Sequence, residues 1–568
     1  MSTAKKFIPT KVVSDKPYKH PWIDADCVRL LREKQEAIGK PEFPVARDRC
    51  TEGFRSAQAS FLKKTRDKLR DSGSKDWWKL SKDLLAKSDG KENIPPLRAG
   101  DTWAKDPQSK ASLLASTFTE KTQLPAQAVN EHSALTPASQ MLRGFLRIRV
   151  RDVAKILKAL DTSSSTGPDM LPALILRECG AELALPITLL SRICLSGGRW
   201  PYCWRCHWIH PLHKKKARSD PRNYRGVHLT PQLAKVIERA IGSVFVPWLS
   251  ENGYGEHQYA YSQGKSHRDV LAVNVCSWLL SLEDGFAVGL YCSDVSGAFG
   301  RVCRKRLGAK LRVSGLAPAV VSFLESWFED RLACVVVSGS RSNFCVLANS
   351  VFQGTVLGPP LWNFFYADAR FAVRDHGFEE AVFANDFNCW TILNKDISEL
   401  EATLKLSECQ SSLHRWGAAN RVSFDPLKDE FVAIRRSKAL GNDFKLLGVT
   451  FDAQLLMHRG IRKIAVEAAW RLKAILRARF YFTTPEIVHL YKANVLSYIE
   501  SGVAGYFHAC DSTLSSIDRI QTRLLRSVGL SEEEALLNFR LAPLSMRRCI
   551  AVLGFLHRIV LGRAPPQV

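Results

Sequence analysis

The chain has 568 residues, too many for one ordinary hydrophobic core, so two to four domains are expected. Its 46% apolar and 24% charged residues exclude a disordered or fibrous chain. A formal net charge of +25 points to a polyanionic partner, with nucleic acid the first choice and an inert basic surface the bland alternative.

The fifteen cysteines are odd in number and scattered, which argues for a reducing compartment rather than a disulfide framework. Met1-Ser2-Thr3-Ala4-Lys5-Lys6 is too polar to open a signal peptide. The longest apolar stretch, Ile550 to Leu561, is interrupted by His557 and Arg558 and is too short to span a bilayer. The expectation is a soluble intracellular protein of the nucleus or cytoplasm, without a membrane partner.

Residues 1–130 are highly charged, with helical patterns from Cys27 to Ile38 and Phe54 to Leu69, and Trp77-Trp78 set between lysines. Asp89 to Gln108, rich in Gly, Pro, Lys and Asp, has the composition of a linker. Val150, Val153, Ile156, Leu157 and Leu160 keep helical spacing, and Ser163 to Asp169 ends that helix. From there to about residue 453 helical patterns alternate irregularly with short β-branched runs, an α+β order and not a βαβ repeat. Cys334 to Ser338 and Asn343 to Leu347 predict a hairpin. After residue 457 the pattern is helical over Ile461–Ala478, Pro485–Glu500 and Thr513–Val528. Recurrent arginines there, among them Arg471, Arg477, Arg519 and Arg523, suit either a solvated face or a grip on a duplex.

Two segments carry chemistry. The apolar run Ala287 to Tyr291 ends in Ser293-Asp294, and Phe383-Ala384-Asn385-Asp386 reads as strand, tight turn, strand. Two-metal phosphoryl transfer needs carboxylates from separate strands converging on ions about 4 Å apart. Asp294 and Asp386 supply two, and Asn385 stands where a third is expected. Cys203, Cys206, His207 and His210 mimic a haem or zinc motif, but no second CxxC supports it.

These segments belong to a longer ordered set: Ser165-Thr166-Gly167-Pro168-Asp169, Pro211 to Lys216, Asn223-Tyr224-Arg225, the helix-like run Leu229 to Arg239, Gln258 to Tyr261, Phe352 to Pro359, Lys428-Asp429-Glu430 and Leu446 to Val449. The set resembles the reverse transcriptase domain of non-long-terminal-repeat (LINE-like) retrotransposons across about residues 146–453. The resemblance implies a right-hand polymerase, with fingers and an antiparallel palm sheet over 146–453. It further implies a helical thumb-like region over 454–568 and a connector over 1–145. The activity it implies is RNA-directed DNA polymerisation, with Mg²⁺ or Mn²⁺ as cofactor and an RNA template, a DNA primer or target and deoxynucleoside triphosphates as partners.

By the same resemblance, Asp294 and Asp386 hold metal and Asn385 takes the place of the family's second metal-binding Asp. Lys215 and Arg225 clamp triphosphate. Phe299 excludes a ribose 2′-hydroxyl, with ordinary core packing as its alternative. Gln353 and Gly354 face the nascent base pair, unless they form only a strand-to-helix turn before a helix from Leu361. Lys428 matches the general acid for leaving pyrophosphate. Departures from the family pattern are Asn385, Gly226, Ser262, Gly300 and the serines before Gly167. They lead to an expectation of a degenerate fragment of a larger element-encoded protein, or of a catalytically inactive nucleic-acid-binding protein of the same fold.

Overall fold

A computed structural model describes residues 22–85, 94–124, 148–425, 427–437 and 439–564. The chain divides into two compact units. One gathers Met1–Lys91, Arg462–Glu500 and Leu514–Arg547; the other holds Glu92–Ile461, Ser501–Thr513 and Arg548–Val568.

The first unit is helical, and its helices start where the sequence supplies caps. Asp24 accepts the Cys27 amide ahead of the helix Ala25–Glu36, and Thr483 and Ser531 form capping boxes with Glu486 and Glu534. The expected helix over Pro485–Glu500 is broken into Thr484–Tyr491, a π turn at Lys492–Leu496 and Ser497–Ser501. Within this unit the N-terminal segment packs on helices from the far end of the sequence. The Trp77 indole donates to Glu486 at 3.1 Å and its ring meets Phe482 and His489.

The second unit mixes helices with thirteen described strands, in keeping with the α+β reading. A hairpin, β1 (Leu97–Ala99) and β2 (Thr102–Ala104), occupies the described part of the stretch with linker composition. The boundary between the two units at Lys91/Glu92 falls in this stretch, while its described part is ordered by tertiary contacts: Leu97 is fully buried and the Arg98 amide donates to the Ser219 carbonyl at 2.8 Å.

β3 (Cys206–His213) pairs antiparallel with β4 (Tyr224–Leu229) on one side. β5 (Ala287–Asp294) follows in the chain and is buried along its whole length. β6 (Arg331–Val337) lies parallel to β3 and takes β7 (Ser340–Arg341) and β8 (Cys345–Leu347) as antiparallel partners. The expected hairpin over Cys334–Leu347 therefore starts earlier, at Arg331, and its return strand is divided.

β9 (Glu379–Phe383) and β10 (Asp386–Leu393) form a hairpin, and β11 (Glu430–Ile434) completes a four-stranded antiparallel sheet of order β11-β5-β10-β9. β12 (Phe444–Leu446) and β13 (Val449–Phe451) pair separately. The β5–β10 register runs from Ala287↔Leu393 to Asp294↔Asp386, so both strands deliver their acids to the same end of the sheet. One continuous apolar core, from Leu97 to Phe424, backs this sheet and the β3–β4–β6 sheet.

The helix expected from Leu361 begins three residues earlier, at Gly358, and runs to Tyr366. Pro359 and Pro360 open it, where a missing N–H costs no helical hydrogen bond.

Candidate active site

Asp294 ends β5, and Asp386 begins β10 directly opposite it. The turn between β9 and β10 contains Ala384, which has a φ of +59°, an unfavourable region for a residue with a Cβ. Its conformation is held from outside. The Gln258 side chain accepts the Ala384 amide at 2.8 Å and donates to its carbonyl at 3.1 Å, and the Trp362 indole donates to the same carbonyl at 2.8 Å. The Val295 amide donates to the Asn385 carbonyl at 3.1 Å. With the turn clamped, the Asn385 amide donates to one oxygen of Asp294. The Lys428 ammonium pairs with the other oxygen. The three residues Asp294, Asn385 and Asp386 thus converge with Lys428.

The electrostatics follow from this crowding. Burial, and then the neighbouring Asp294 charge, push the Asp386 carboxyl up to about 6. Burial works against the Lys428 ammonium, but Asp294, Asp425 and Asp386 outweigh it and leave the group above its usual value. Behind the site, Ser293 donates to Asp429 at 2.6 Å and Gln410 donates to the other oxygen of Asp429 at 2.8 Å, while His414 lies 3.2 Å from it. Ser293 precedes Asp294 and Asp429 follows Lys428, so this hydrogen bond ties together the two strand ends that carry the ion pair.

As for a divalent cation, Asp294 and Asp386 offer two converging carboxylates with an amide beside them. Among the described residues no group of three His, Cys, Asp or Glu side chains gathers at one point. The residues suit a single cation between two carboxylates; the third carboxylate that a bridged pair of ions calls for is absent from this group.

Phe299 is buried, stacked on Trp362 at 5.8 Å and edge-on to Tyr261 at 5.7 Å. Through Trp362 it adjoins the Ala384 turn. Gln353 and Gly354 are exposed. The Gln353 carbonyl accepts the His228 amide at 2.7 Å, and a Cβ on Gly354, whose φ is +99°, would lie 2.8 Å from the His228 carbonyl. No larger residue fits that approach of loop to strand.

Of the basic residues, Arg225 is exposed on β4, and Lys214, Lys215 and Lys216 follow β3. Burial lowers the Lys214 ammonium, the Arg225 and Lys428 charges add to this, and Asp294 opposes it. Lys214 therefore feels the Asp294 charge; the sequence matched Lys215 to the motif but left open which of the three lysines points inward.

His207 is sealed in the interior. Its ring nitrogens face His228 at 3.1 Å and Arg331 at 2.7 Å, which accounts for it without a metal. Gly226 is closely packed: a Cβ there would come within 2.7 Å of the Ile209 side chain. Gly300 has room, with its nearest neighbour, the Lys121 carbonyl, at 3.6 Å. Gln258 and Trp362 were missed as site residues. Gln258 stands in a motif that marks the segment without assigning it a role, and nothing around Trp362 distinguishes it from a core aromatic.

No protein-family model matches the chain. An α+β protein whose sheet brings an acid pair to one end of two antiparallel strands is, however, not without relatives. The RNA-directed DNA polymerase from mobile element jockey of Drosophila melanogaster is 24% identical over 536 residues, 88% of this chain and 58% of that protein. The jockey polymerase of Drosophila funebris is 25% identical over 455 residues, 75% of this chain and 49% of that protein. The probable RNA-directed DNA polymerase from transposon BS of Drosophila melanogaster is 27% identical over 298 residues, 51% of this chain and 33% of that protein. The chain is thus similar to RNA-directed DNA polymerases of Drosophila mobile elements, and it spans about half the length of the curated relatives it matches.

Proposed function

We propose that the chain is the polymerase portion of a LINE-like reverse transcriptase, which adds deoxynucleotides to a DNA 3′ end on an RNA template. The observation that carries this reading is the β5–β10 register, which sets Asp386 opposite Asp294 beside Asn385 and Lys428. In this reading residues 146–453 are fingers and palm of a right-hand polymerase, 454–568 a thumb-like region and 1–145 a connector. The site of action is the nucleus or cytoplasm. Among the described residues no helix is long and apolar enough to cross a membrane.

Asp294 and Asp386 would hold a divalent cation, Mg²⁺ or Mn²⁺, which when bound supplies charge neutralisation for the triphosphate and the primer hydroxyl. The protein's own groups do the rest. Arg225 and a lysine of the 214–216 run, Lys214 by its electrostatic link or Lys215 by motif position, meet the triphosphate as donors. Phe299 walls the sugar side, Gln353 and Gly354 face the base pair, and Lys428 delivers a proton to the pyrophosphate side. Asn385 contributes one neutral carbonyl oxygen where a carboxylate would give two charged ones. Losing one preorganised electrostatic group of this kind costs about 10²–10³ in rate.

That substitution favours a second reading: a nucleic-acid-binding protein of the same fold with little or no catalysis. Mg²⁺-dependent primer extension on an RNA template, run beside filter binding of the same primer–template, separates the two. Extension supports the first reading; binding without extension supports the second. In both, log affinity should fall linearly with log salt, because phosphate contacts release counterions. No binding at low salt would overturn both.

A further inference from the structure

Beneath the loop that carries Gln353 lies a second carboxylate, separate from the acid pair. Glu238, in the helix Gln232–Glu251, has no exposed surface. One of its oxygens accepts the backbone amides of Val356 at 2.7 Å and Leu357 at 3.3 Å. The other accepts the Trp327 indole at 3.0 Å. Val356 and Leu357 are the residues immediately before the helix Gly358–Tyr366, which has no side-chain cap of its own. A helix start carries unsatisfied amides and partial positive charge, so a buried anion there answers both.

Burial pushes the Glu238 carboxyl up, and the Trp327 indole, the Arg331 charge and the Val356 and Leu357 amides oppose that rise. Arg331, itself fully buried, donates to the carbonyls of Trp327 at 2.6 Å and Trp204 at 3.1 Å and lies over the rings of Trp327 and Phe352. An uncompensated charge at this depth would be costly.

The capped helix reaches the candidate site directly. Its Trp362 stacks on Phe299 and holds the Ala384 carbonyl of the acid-bearing turn, and its Asn363 donates to the Ala260 carbonyl at 3.1 Å. Before the helix, the Gln353 carbonyl is bound to the His228 amide of β4. The segment Gln353–Leu357 is therefore clamped at one end by β4 and at the other by a carboxylate contributed from more than a hundred residues earlier.

We infer that Glu238 is a positioning residue, whose carboxylate fixes the Gln353–Gly358 segment in the geometry that receives the incoming nucleotide. The clamp stands on the hydrogen bonds alone; the nucleotide rests on the polymerase reading. An ordinary buried ion pair would be indifferent to which amides it holds. Here the acceptor is spent on the amides of the loop, so removing its charge should loosen that loop selectively.

The test is Glu238→Gln, which keeps the volume but turns an NH₂ toward groups that are already donors. Amide hydrogen exchange of the unaltered and variant proteins should show peptides covering 353–358 exchanging about tenfold faster in the variant, the loss of roughly one charge-assisted contact. Peptides covering β9 and β10 should be unchanged. On an RNA template with a DNA primer, affinity for the next complementary deoxynucleotide should fall about tenfold while primer–template affinity is unchanged. A folded Glu238→Gln protein with unaltered exchange over 353–358 overturns the proposal. Should that variant not fold, Trp327→Phe, which removes the indole donor to Glu238 and keeps an aromatic ring beneath Arg331, should give a smaller acceleration in the same peptides, and none would overturn it. Accelerated exchange in a protein whose unaltered form binds no primer–template keeps the clamp and refutes the polymerase reading. Unaltered exchange with intact nucleotide binding refutes the clamp and keeps the polymerase reading.

Discussion

Asp294 and Glu238 are both buried carboxylates that gather donors from distant parts of one unit, and they differ in who the donors are. Asp294 is held by two side chains, Asn385 and Lys428, and the Lys428 side chain is 56% exposed. Glu238 is held by two backbone amides and an indole in a sealed interior. Side-chain donors on solvent can swing away and surrender a carboxylate to a cation or a substrate. Backbone donors cannot leave without unfolding a helix start. On the proposed reading, the same chemical group would serve as an exchangeable ligand at one end of the sheet and as a fixed strut beneath the loop.

The strut is the easier of the two to break. Arg331→Met should cost about 3–5 kcal/mol in urea unfolding, because the Trp327 and Trp204 carbonyls and His207 lose their buried donor, each worth about 1–3 kcal/mol, and Glu238 loses the charge that opposes its burial. An unchanged midpoint would mean that the sealed cluster is not balanced by Arg331.

At the open site the corresponding change is a gain. Asn385→Asp keeps side-chain volume and adds the missing carboxylate, so Mg²⁺-dependent primer extension should rise about 10²–10³-fold. Robust extension by the unaltered protein would show that the amide suffices there. A variant that binds primer–template but stays inactive would move suspicion to Gly300, which has space for a side chain, rather than to Gly226, which Ile209 already fills.

The buried histidines and Asp386 should respond to acid with opposite signs. Burial and the Arg331 charge push His228 down to about 3, and the same causes hold His207 well below its usual range. The unfolded chain takes up protons at these histidines near pH 6.5 and the native chain does not, so their contribution falls as pH drops from about 6.5 toward 3. Asp386 behaves in reverse. With its carboxyl at about 6, the metal-free native state holds a proton that the unfolded state has lost above about 4, so its contribution falls as pH rises through about 4–6. Unfolding midpoints at about pH 7 and about pH 5 should therefore separate further in Asp386→Asn than in the unaltered protein, since the opposing slope is gone. An equal or smaller separation would contradict the assignment of opposite signs.

The smallest expected effect decides between neighbouring lysines. Lys214→Ala should weaken nucleotide binding roughly fivefold, the worth of one partly exposed charged contact, and Lys215→Ala should leave it unchanged. The reverse outcome would return the role to Lys215.

What the sequence determined by itself is local. The apolar run Ala287–Tyr291 ending at Asp294 forms a strand buried on both faces, and Phe383 to Asp386 forms a strand, a turn and the start of a second strand, because each signal lies within a few consecutive residues. The acid pair could be named in advance for that reason. The tertiary structure alone placed Lys214 within the field of Asp294, since three consecutive lysines differ only in the direction the backbone gives them. It also decided that Gln258 and Trp362 hold Ala384 in a left-handed turn, and that Glu238, one polar position in a plain amphipathic helix, caps another helix more than a hundred residues away. Hydrogen bonds between such distant positions leave no periodicity or composition behind. They arise only when the folded backbone brings a donor and an acceptor to within about 3 Å.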